Sequence, residues 1–293
     1  MKYIVTDYQA VLTVHCALND LGNKPYIAAL LFDGPPGTGK SFLAAQVSKF
    51  LNATLLDFQC KPGYGEEQFL SRIDPQTGQI SHGILAQAIL ASHKGPTVLK
   101  IDEMDKGPRS ADFFWLNFLQ DNLLNEPHQE ELRAKQENLL IILTKNDVRN
   151  LEQPLLRRCR CVTFRYPTIE EETKIILQYH PYLLPDSFRF ILDIVQEIRN
   201  NPTIVKKPSS PEIVRLIQDL LSLLAIKVSP LEIGRYFLNG LLTFPEDLDK
   251  LKLNNVRFGT LCYERFSNIS GHPQLEFSNS GHEIANEFLS QFK

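Results

Sequence analysis

The chain has no stretch close to the roughly 20 consecutive apolar residues that a membrane-spanning helix needs, so no membrane role is expected. Its first residues, Met1-Lys-Tyr-Ile-Val-Thr-Asp, place an acid early and hold no apolar signal core, so a cytoplasmic protein is expected. An excess of one charge is also missing. The 31 Lys and Arg residues against 34 Asp and Glu give a net charge of −3. That leaves no electrostatic case for direct contact with nucleic acid or a membrane surface. Five cysteines make no even disulfide framework. Cys159 and Cys161 would share one face of a strand, but no second pair and no nearby histidine complete a metal site, so reduced, buried thiols are expected. His82 and His93 have no ligand partners at useful spacing. No Ser-His-Asp set, internal repeat or low-complexity tract is visible.

What is present is enough for a sizeable core: 293 residues, 43% hydrophobic and 22% charged, which allows one large or two small domains. The most informative segment is Gly34-Pro35-Pro36-Gly37-Thr38-Gly39-Lys40-Ser41, a complete G-x-x-x-x-G-K-[ST] loop. An apolar run at 27–32 precedes it and reads as a strand; residues 42–51, opening on Phe42, read as a helix. Strand, loop and helix form the context in which this loop cradles phosphates. The glycines allow a tight wrap that turns backbone N–H groups inward, and the helix N-terminus adds about half a positive charge at the same place. Lys40 is then expected to reach the outer phosphates, and Ser41 to hold Mg²⁺. Residues 34–42 form the expected nucleotide-binding segment.

Downstream, strands are expected at 53–60, 97–102, 139–144 and 161–166. Helices are expected at 8–19 (capped by Thr6 or Asp7), 66–72, 84–92 and 111–124, with a hairpin closed by the turn-rich residues 74–79. Residues 125–136 are polar and read as a surface excursion. The alternation of strands and helices predicts an α/β domain built on a parallel sheet. After Pro167 only helical spacing remains, at 170–179, 186–199, 211–226 and 231–242, which predicts a smaller helical domain. The expected division is 1–167, 168–252 and a C-terminal extension, 253–293, with a turn at Ser270–Pro273 and a final helix from about Gly281. The stripe Phe114, Trp115 and Phe118 reads as core, with a subunit or substrate contact as the alternative.

Two acids close the third strand, in Lys100-Ile101-Asp102-Glu103. An apolar strand ending in Asp-Glu after a P-loop resembles a Walker B motif. Asp102 would hold Mg²⁺ through water, and Glu103 would polarise a water for attack on the γ-phosphate. The fourth strand ends in Thr144-Lys145-Asn146, and Gln153-Pro-Leu-Leu-Arg157-Arg158-Cys-Arg160 precedes the fifth. With these residues the chain resembles the AAA+ ATPases over about 25–245. The resemblance implies a P-loop NTPase sheet of five parallel strands, ordered 5-1-4-3-2, with a helical lid. It implies that Asn146 is a sensor-1 residue and that Arg158, with Arg157 second, is an arginine finger entering a neighbouring subunit's site.

Ser71-Arg-Ile-Asp-Pro-Gln-Thr-Gly-Gln-Ile-Ser-His-Gly83 looks like the inserted hairpin of the helix-2-insert clade, and Lys206-Lys-Pro-Ser-Ser-Pro-Glu-Ile-Val-Arg215 resembles the lid of MoxR-like proteins. The sensor-2 arginine expected at the start of that lid helix is replaced by Glu212. Arg215, one turn later, and Lys207, just before it, are the candidates to replace it. The resemblance implies a MoxR-like ATPase using ATP and Mg²⁺, assembled as a ring, as a hexamer, and acting on a protein partner such as a von Willebrand A-type protein. Two other readings stay open: a McrB-like or defence-system NTPase motor acting on nucleic acid through a partner, and a slow nucleotide-gated switch.

Overall fold

A computed structural model describes residues 8–74, 76–126, 131–146, 148–242 and 246–266. The chain divides into two compact units, 1–166 and 167–293. In the first unit the elements are α1 (Tyr8–Asp20), β1 (Ala28–Asp33), α2 (Lys40–Phe50), β2 (Thr54–Gln59), β3 (Arg72–Ile73), β4 (Ile80–Ser81), α3 (Ile84–Ser92), β5 (Thr97–Asp102), α4 (Arg109–Asp121), β6 (Leu123–Leu124), β7 (Leu132–Arg133), β8 (Leu139–Lys145), α5 (Gln153–Leu156) and β9 (Arg160–Thr163).

Five strands make one parallel sheet in the order β2-β5-β8-β1-β9. Counted along the chain as strands one to five, this is the 5-1-4-3-2 order. The central strands are buried on both faces, and their side chains alternate between two cores. Ala29, Leu31, Leu99, Ile101, Leu139, Ile141 and Leu143 join one core with α3 and α4. Ala28, Leu30, Phe32, Val98, Leu140 and Ile142 join the other with α1 and α2. On α1, Ala10, Val14 and Ala17 supply that second core at helical spacing. A Val, Leu, Ile or Phe side chain fully buried in this way stabilises the fold by about 1.5–3 kcal/mol. The aromatic stripe of α4 is core: Trp115 is fully buried, with Phe69 against it at 5.1 Å between ring centroids.

Several expected boundaries move. The helix expected at 111–124 runs from Arg109 to Asp121, because Asn122 takes the left-handed conformation (φ 56°) and ends it. Leu123 and Leu124 then pair antiparallel with Leu132 and Arg133. The surface excursion expected at 125–136 is thus anchored by a hairpin: Asn125, Glu131, Arg133 and Lys135 are exposed, while other residues fasten it to the unit. Leu124 and Ala134 are buried, Glu126 accepts the Ser71 N–H at 2.9 Å, and Lys135 N–H donates to Ser92 at 3.0 Å. The helix expected at 66–72 is a single 3₁₀ turn, Glu66–Gln68. The hairpin expected around 74–79 is present, with Arg72 opposite Ser81 and Ile73 opposite Ile80.

The second unit contains α6 (Ile169–Tyr179), α7 (Pro185–Asn200), α8 (Ser210–Ala225), α9 (Pro230–Leu241), α10 (Glu246–Lys250) and α11 (Asn255–Phe266). Its apolar faces converge on one core that includes Ile176, Phe188, Ile191, Ile213, Ile217, Phe237 and Leu241. α11 contributes Phe258, Cys262 and Phe266 to the same core, so residues 255–266 are a packed element of the helical unit rather than part of a separate extension. The Thr6 or Asp7 cap, the turn at 270–273 and the helix from Gly281 lie outside the described residues. Among the described residues, no helix is long and apolar enough to cross a membrane.

Candidate nucleotide site

The loop after β1 has the backbone that its glycines predict. Gly34, Gly37 and Gly39 have φ values of 146°, 74° and 98°. At Gly34 the freedom is required twice over: a Cβ there would lie 2.2 Å from the Phe164 carbonyl oxygen, because Phe164 N–H donates to Asp33 O at 2.6 Å and draws the two segments together. Gly39 caps α2 in the left-handed conformation, so the first turn of the helix opens onto the loop with its N–H groups. Lys40 is buried and folded into the loop, donating to Gly34 O at 2.5 Å and Pro35 O at 2.7 Å. Thr38 donates to Pro35 O at 2.8 Å. Ser41 and Phe42 lie exposed on the first turn of α2.

β5 brings Asp102 to Ser41, whose hydroxyl donates to Asp102 Oδ2 at 3.2 Å. Thr144, at the end of neighbouring β8, donates to Asp102 Oδ1 at 2.5 Å. The same Thr144 oxygen accepts the Glu103 N–H at 3.0 Å. Burial alone would raise the Asp102 carboxyl, but the Thr144 hydrogen bond, the Lys100 charge and the Ser41 hydroxyl outweigh it and hold the group below its ordinary value. A hydroxyl and an ionised carboxylate are hard oxygen donors of the kind Mg²⁺ prefers, so Ser41 and Asp102 fit that ion.

Glu103 stands at φ 55°, a left-handed backbone that a non-glycine residue adopts only when its surroundings over-determine it. The fixing is visible. Its Oε1 accepts from Asn146 Nδ2 at 3.0 Å, and its Oε2 accepts from Gln59 Nε2 at 2.8 Å and Lys106 Nζ at 2.7 Å. Burial raises this carboxyl, and the Lys106 and Gln59 bonds more than reverse it, so the net direction is down. Glu103 is held ionised, as a group that polarises water must be.

The loop carrying Asn146 is fastened from below. Asp105, buried, accepts the Asn146 N–H at 2.9 Å and the Val148 N–H at 2.7 Å on one oxygen. Asp112, also buried, takes Arg149 through two guanidinium bonds of 2.8 and 2.7 Å, and the Glu152 N–H at 2.9 Å. Beyond it, Arg157 and Arg158 are exposed after α5, and Arg158 donates to Gln120 Oε1 at 2.9 Å. Arg160 is committed elsewhere, doubly bonded to Asp20 at 2.6 and 3.1 Å.

In the helical unit, Glu212 forms a capping box with Ser209 at the start of α8, which accounts for an acid at the position expected for arginine. Lys207 donates to the Ile198 and Asn201 carbonyls at the end of α7 and is thereby spent on closing that helix. Arg215 is exposed on α8.

Residues 29–159 match the family described as the AAA domain, dynein-related subfamily. Those residues carry an AAA domain. Among curated relatives, a Lon protease of Heliobacterium modesticaldum is 26% identical over 172 residues, covering 56% of this chain and 21% of that protein. A Lon protease of Chlamydia pneumoniae is 27% identical over 180 residues, covering 59% of this chain and 21% of that protein. The 26S proteasome regulatory subunit 6A of Schizosaccharomyces pombe is 31% identical over 170 residues, covering 55% of this chain and 35% of that protein. The chain thus spans only a minor part of the length of each.

The AAA domain gathers Lys40, Ser41, Asp102, Glu103 and Asn146 at the C-terminal ends of β1, β5 and β8. Four residues around them were not singled out from sequence. Thr144 was signalled by a hydroxyl closing an otherwise apolar strand, and Lys100 by a charge inside one. Gln59 and Lys106 carry no comparable local signal. Gln59 is opposite Asp102 only through the β2–β5 register, and Lys106 reaches Glu103 through a 3₁₀ turn.

Proposed function

We propose that the chain is a MoxR-like AAA+ ATPase subunit that binds ATP with Mg²⁺ and hydrolyses it in the cytoplasm, as part of a six-membered ring that remodels or loads a partner protein. The observation that carries the reading is the pairing of a complete P-loop with Asp102 and Glu103, each fixed by a residue from the end of β8. In this reading Lys40 leaves the loop carbonyls for the outer phosphates, and the loop N–H groups bind the phosphate chain. Ser41 and Asp102 would hold Mg²⁺, whose charge neutralises the phosphates. Glu103 orients and polarises the attacking water, and Asn146 positions Glu103 and faces the phosphate.

Arg158, exposed on the segment before β9, supports a finger offered to a neighbouring subunit. The named relatives include proteases and a proteasome subunit, which supports a protein partner; a von Willebrand A-type protein is the candidate that the MoxR likeness suggests. Arg215 is the proposed lid residue for the nucleotide.

One observation favours a slower device. Lys106 and Gln59 both hold Glu103 Oε2, and a catalytic carboxylate so occupied suits a nucleotide-gated switch. The deciding experiment is steady-state hydrolysis of ATP and GTP across protein concentration, with mass photometry on the same samples. A rate per subunit that rises with assembly supports the ring motor. Tight ATP binding without turnover at any concentration supports the switch. GTP preference moves the reading toward the McrB-like motor.

A further inference from the structure

Between its polar ends, Thr97 and Asp102, strand β5 is apolar except at Lys100, two residues before Asp102. Alternation along the strand puts Lys100 on the face of Val98 and Asp102, opposite Leu99 and Ile101. Its side chain is 6% exposed, and its ammonium lies 2.9 Å from Asp57 Oδ2 and 3.2 Å from Asp102 Oδ2. The first contact follows from register, because Asp57 is the β2 residue directly opposite Lys100. The second places a fixed positive charge on the same carboxylate oxygen that accepts the Ser41 hydroxyl.

We propose that Lys100 is a resident cation at the metal-binding carboxylate, supplying part of the positive charge that Mg²⁺ otherwise brings, so that this chain binds nucleoside triphosphate with weak dependence on Mg²⁺. The inference rests on the reading of this site as a nucleotide site. A polyphosphate approaching an uncompensated Asp102 meets like charge. Here the ammonium is buried, so its field is poorly screened, whereas the Asp57 side chain that shares it is 55% exposed and solvated. The charge therefore acts on Asp102 as well as on the nearer Asp57. Lys100 is a positioning and charge-balancing residue; it touches Asp102 rather than the reacting atoms.

The experiment measures the affinity of the full chain for a fluorescent ATP analogue in excess EDTA and in excess Mg²⁺. The proposal expects a wild-type ratio of the two dissociation constants below about tenfold, a difference of about 1.4 kcal/mol. Lys100→Met, which removes the ammonium and leaves an apolar chain of similar length beside Asp57 and Asp102, is expected to raise that ratio by about tenfold or more. Lys100→Arg keeps the charge and should keep the ratio, and Asp57→Asn should leave it unchanged or lower it. A Lys100→Met ratio equal to that of the wild type, in protein that melts like the wild type, overturns the proposal. Should Lys100→Met not fold, a wild-type ratio above about a hundredfold overturns it just as well. Failure of the wild type to bind the analogue even in Mg²⁺ removes the nucleotide reading and this inference with it, an outcome distinct from binding with an unchanged ratio.

Discussion

Thr144 Oγ1 donates to Asp102 Oδ1 at 2.5 Å and accepts the Glu103 N–H at 3.0 Å, so one hydroxyl at the end of β8 fixes both acids at the end of β5. Parallel pairing makes this possible, since β5 and β8 run side by side from Thr97 opposite Leu139 to Ile101 opposite Leu143 and finish together. Replacing Thr144 by Val keeps the shape and removes the bridge. Asp102 loses a bond that lowers its pKa, and the Glu103 N–H loses its acceptor. A buried donor left without a partner costs about 1–3 kcal/mol. The expected outcome is a modest loss in denaturant midpoint, a several-fold rise in the Mg²⁺ concentration needed for half-maximal hydrolysis, and a fall in kcat. An unchanged Mg²⁺ requirement would show that Thr144 only packs the strand end.

The clamp on Glu103 makes a prediction with a definite sign in pH. Its carboxyl is held below the ordinary value of 4.5, with burial opposing and the Lys106 and Gln59 bonds prevailing. A depressed folded-state pKa means the ionised form persists as pH falls through 4.5, and is lost only below it. Lys106→Met should move any acid limb of the rate profile upward, toward or past that value. It should also release Oε2, so turnover at neutral pH should rise several-fold if the clamp restrains catalysis. Hydrolysis rates from about pH 4 to 8 for wild type and variant decide both points. A limb that does not move, with no gain in rate, removes Lys106 from the control of Glu103.

The sheet was legible because its central strands are nearly continuous apolar runs separated by helices with apolar stripes, and a parallel doubly covered sheet buries both. The placement of the phosphate loop, Asp102, Glu103 and Asn146 at strand ends was legible because the apolar runs stop there. The β6–β7 hairpin was not legible. Its paired segments are two residues each, too short for a period, and what fastens it is distant in sequence: Ser71 to Glu126 and Ser92 to Lys135. Gln59 was hidden for the same reason, since its meaning comes from the register that sets it against Asp102. Lys207 shows the opposite failure. Position in the chain made it a candidate for the nucleotide, whereas its ammonium closes the end of α7 on the carbonyls of Ile198 and Asn201.

Arg158 tests whether the ring reading is right. Its guanidinium meets a neutral partner within this chain, Gln120 Oε1 at 2.9 Å, on an exposed surface. A finger supplied in trans is worth about 10³–10⁵ in rate. Arg158→Ala should therefore lower kcat by about a thousandfold or more while leaving nucleotide affinity and the melting temperature near wild type. Gln120→Ala removes the contact but keeps the finger, and its rate should remain close to wild type. Mixing Arg158→Ala with Glu103→Gln subunits adds a sharper readout. Fingers from one and catalytic acids from the other should restore part of the activity that neither has alone. No recovery, with rings present by mass photometry, would argue that Arg158 does not reach a neighbouring site.

The helical unit has its own point of vulnerability at Glu172 and Arg199. Their side chains are 0% and 1% exposed, and Arg199 meets Glu172 Oε2 at 2.6 Å while donating from Nε to Pro208 O at 2.9 Å. The pair therefore ties α6 to α7 and to the segment leading into α8. Two buried charges cost much desolvation, and their attraction returns it only while both are present. Glu172→Ala leaves the buried guanidinium without this counter-charge, beside a core that holds Ile176, Ile198 and Ile213. The expected loss is about 3–5 kcal/mol, enough to unfold the unit at moderate denaturant. Replacing both residues by Met should recover a large part of that loss, because neither desolvation penalty then remains. Denaturant unfolding of the wild type, Glu172→Ala and the double variant measures this directly. A double variant no more stable than the single one would mean that the Arg199 bond to Pro208, rather than the ion pair, holds the three helices together.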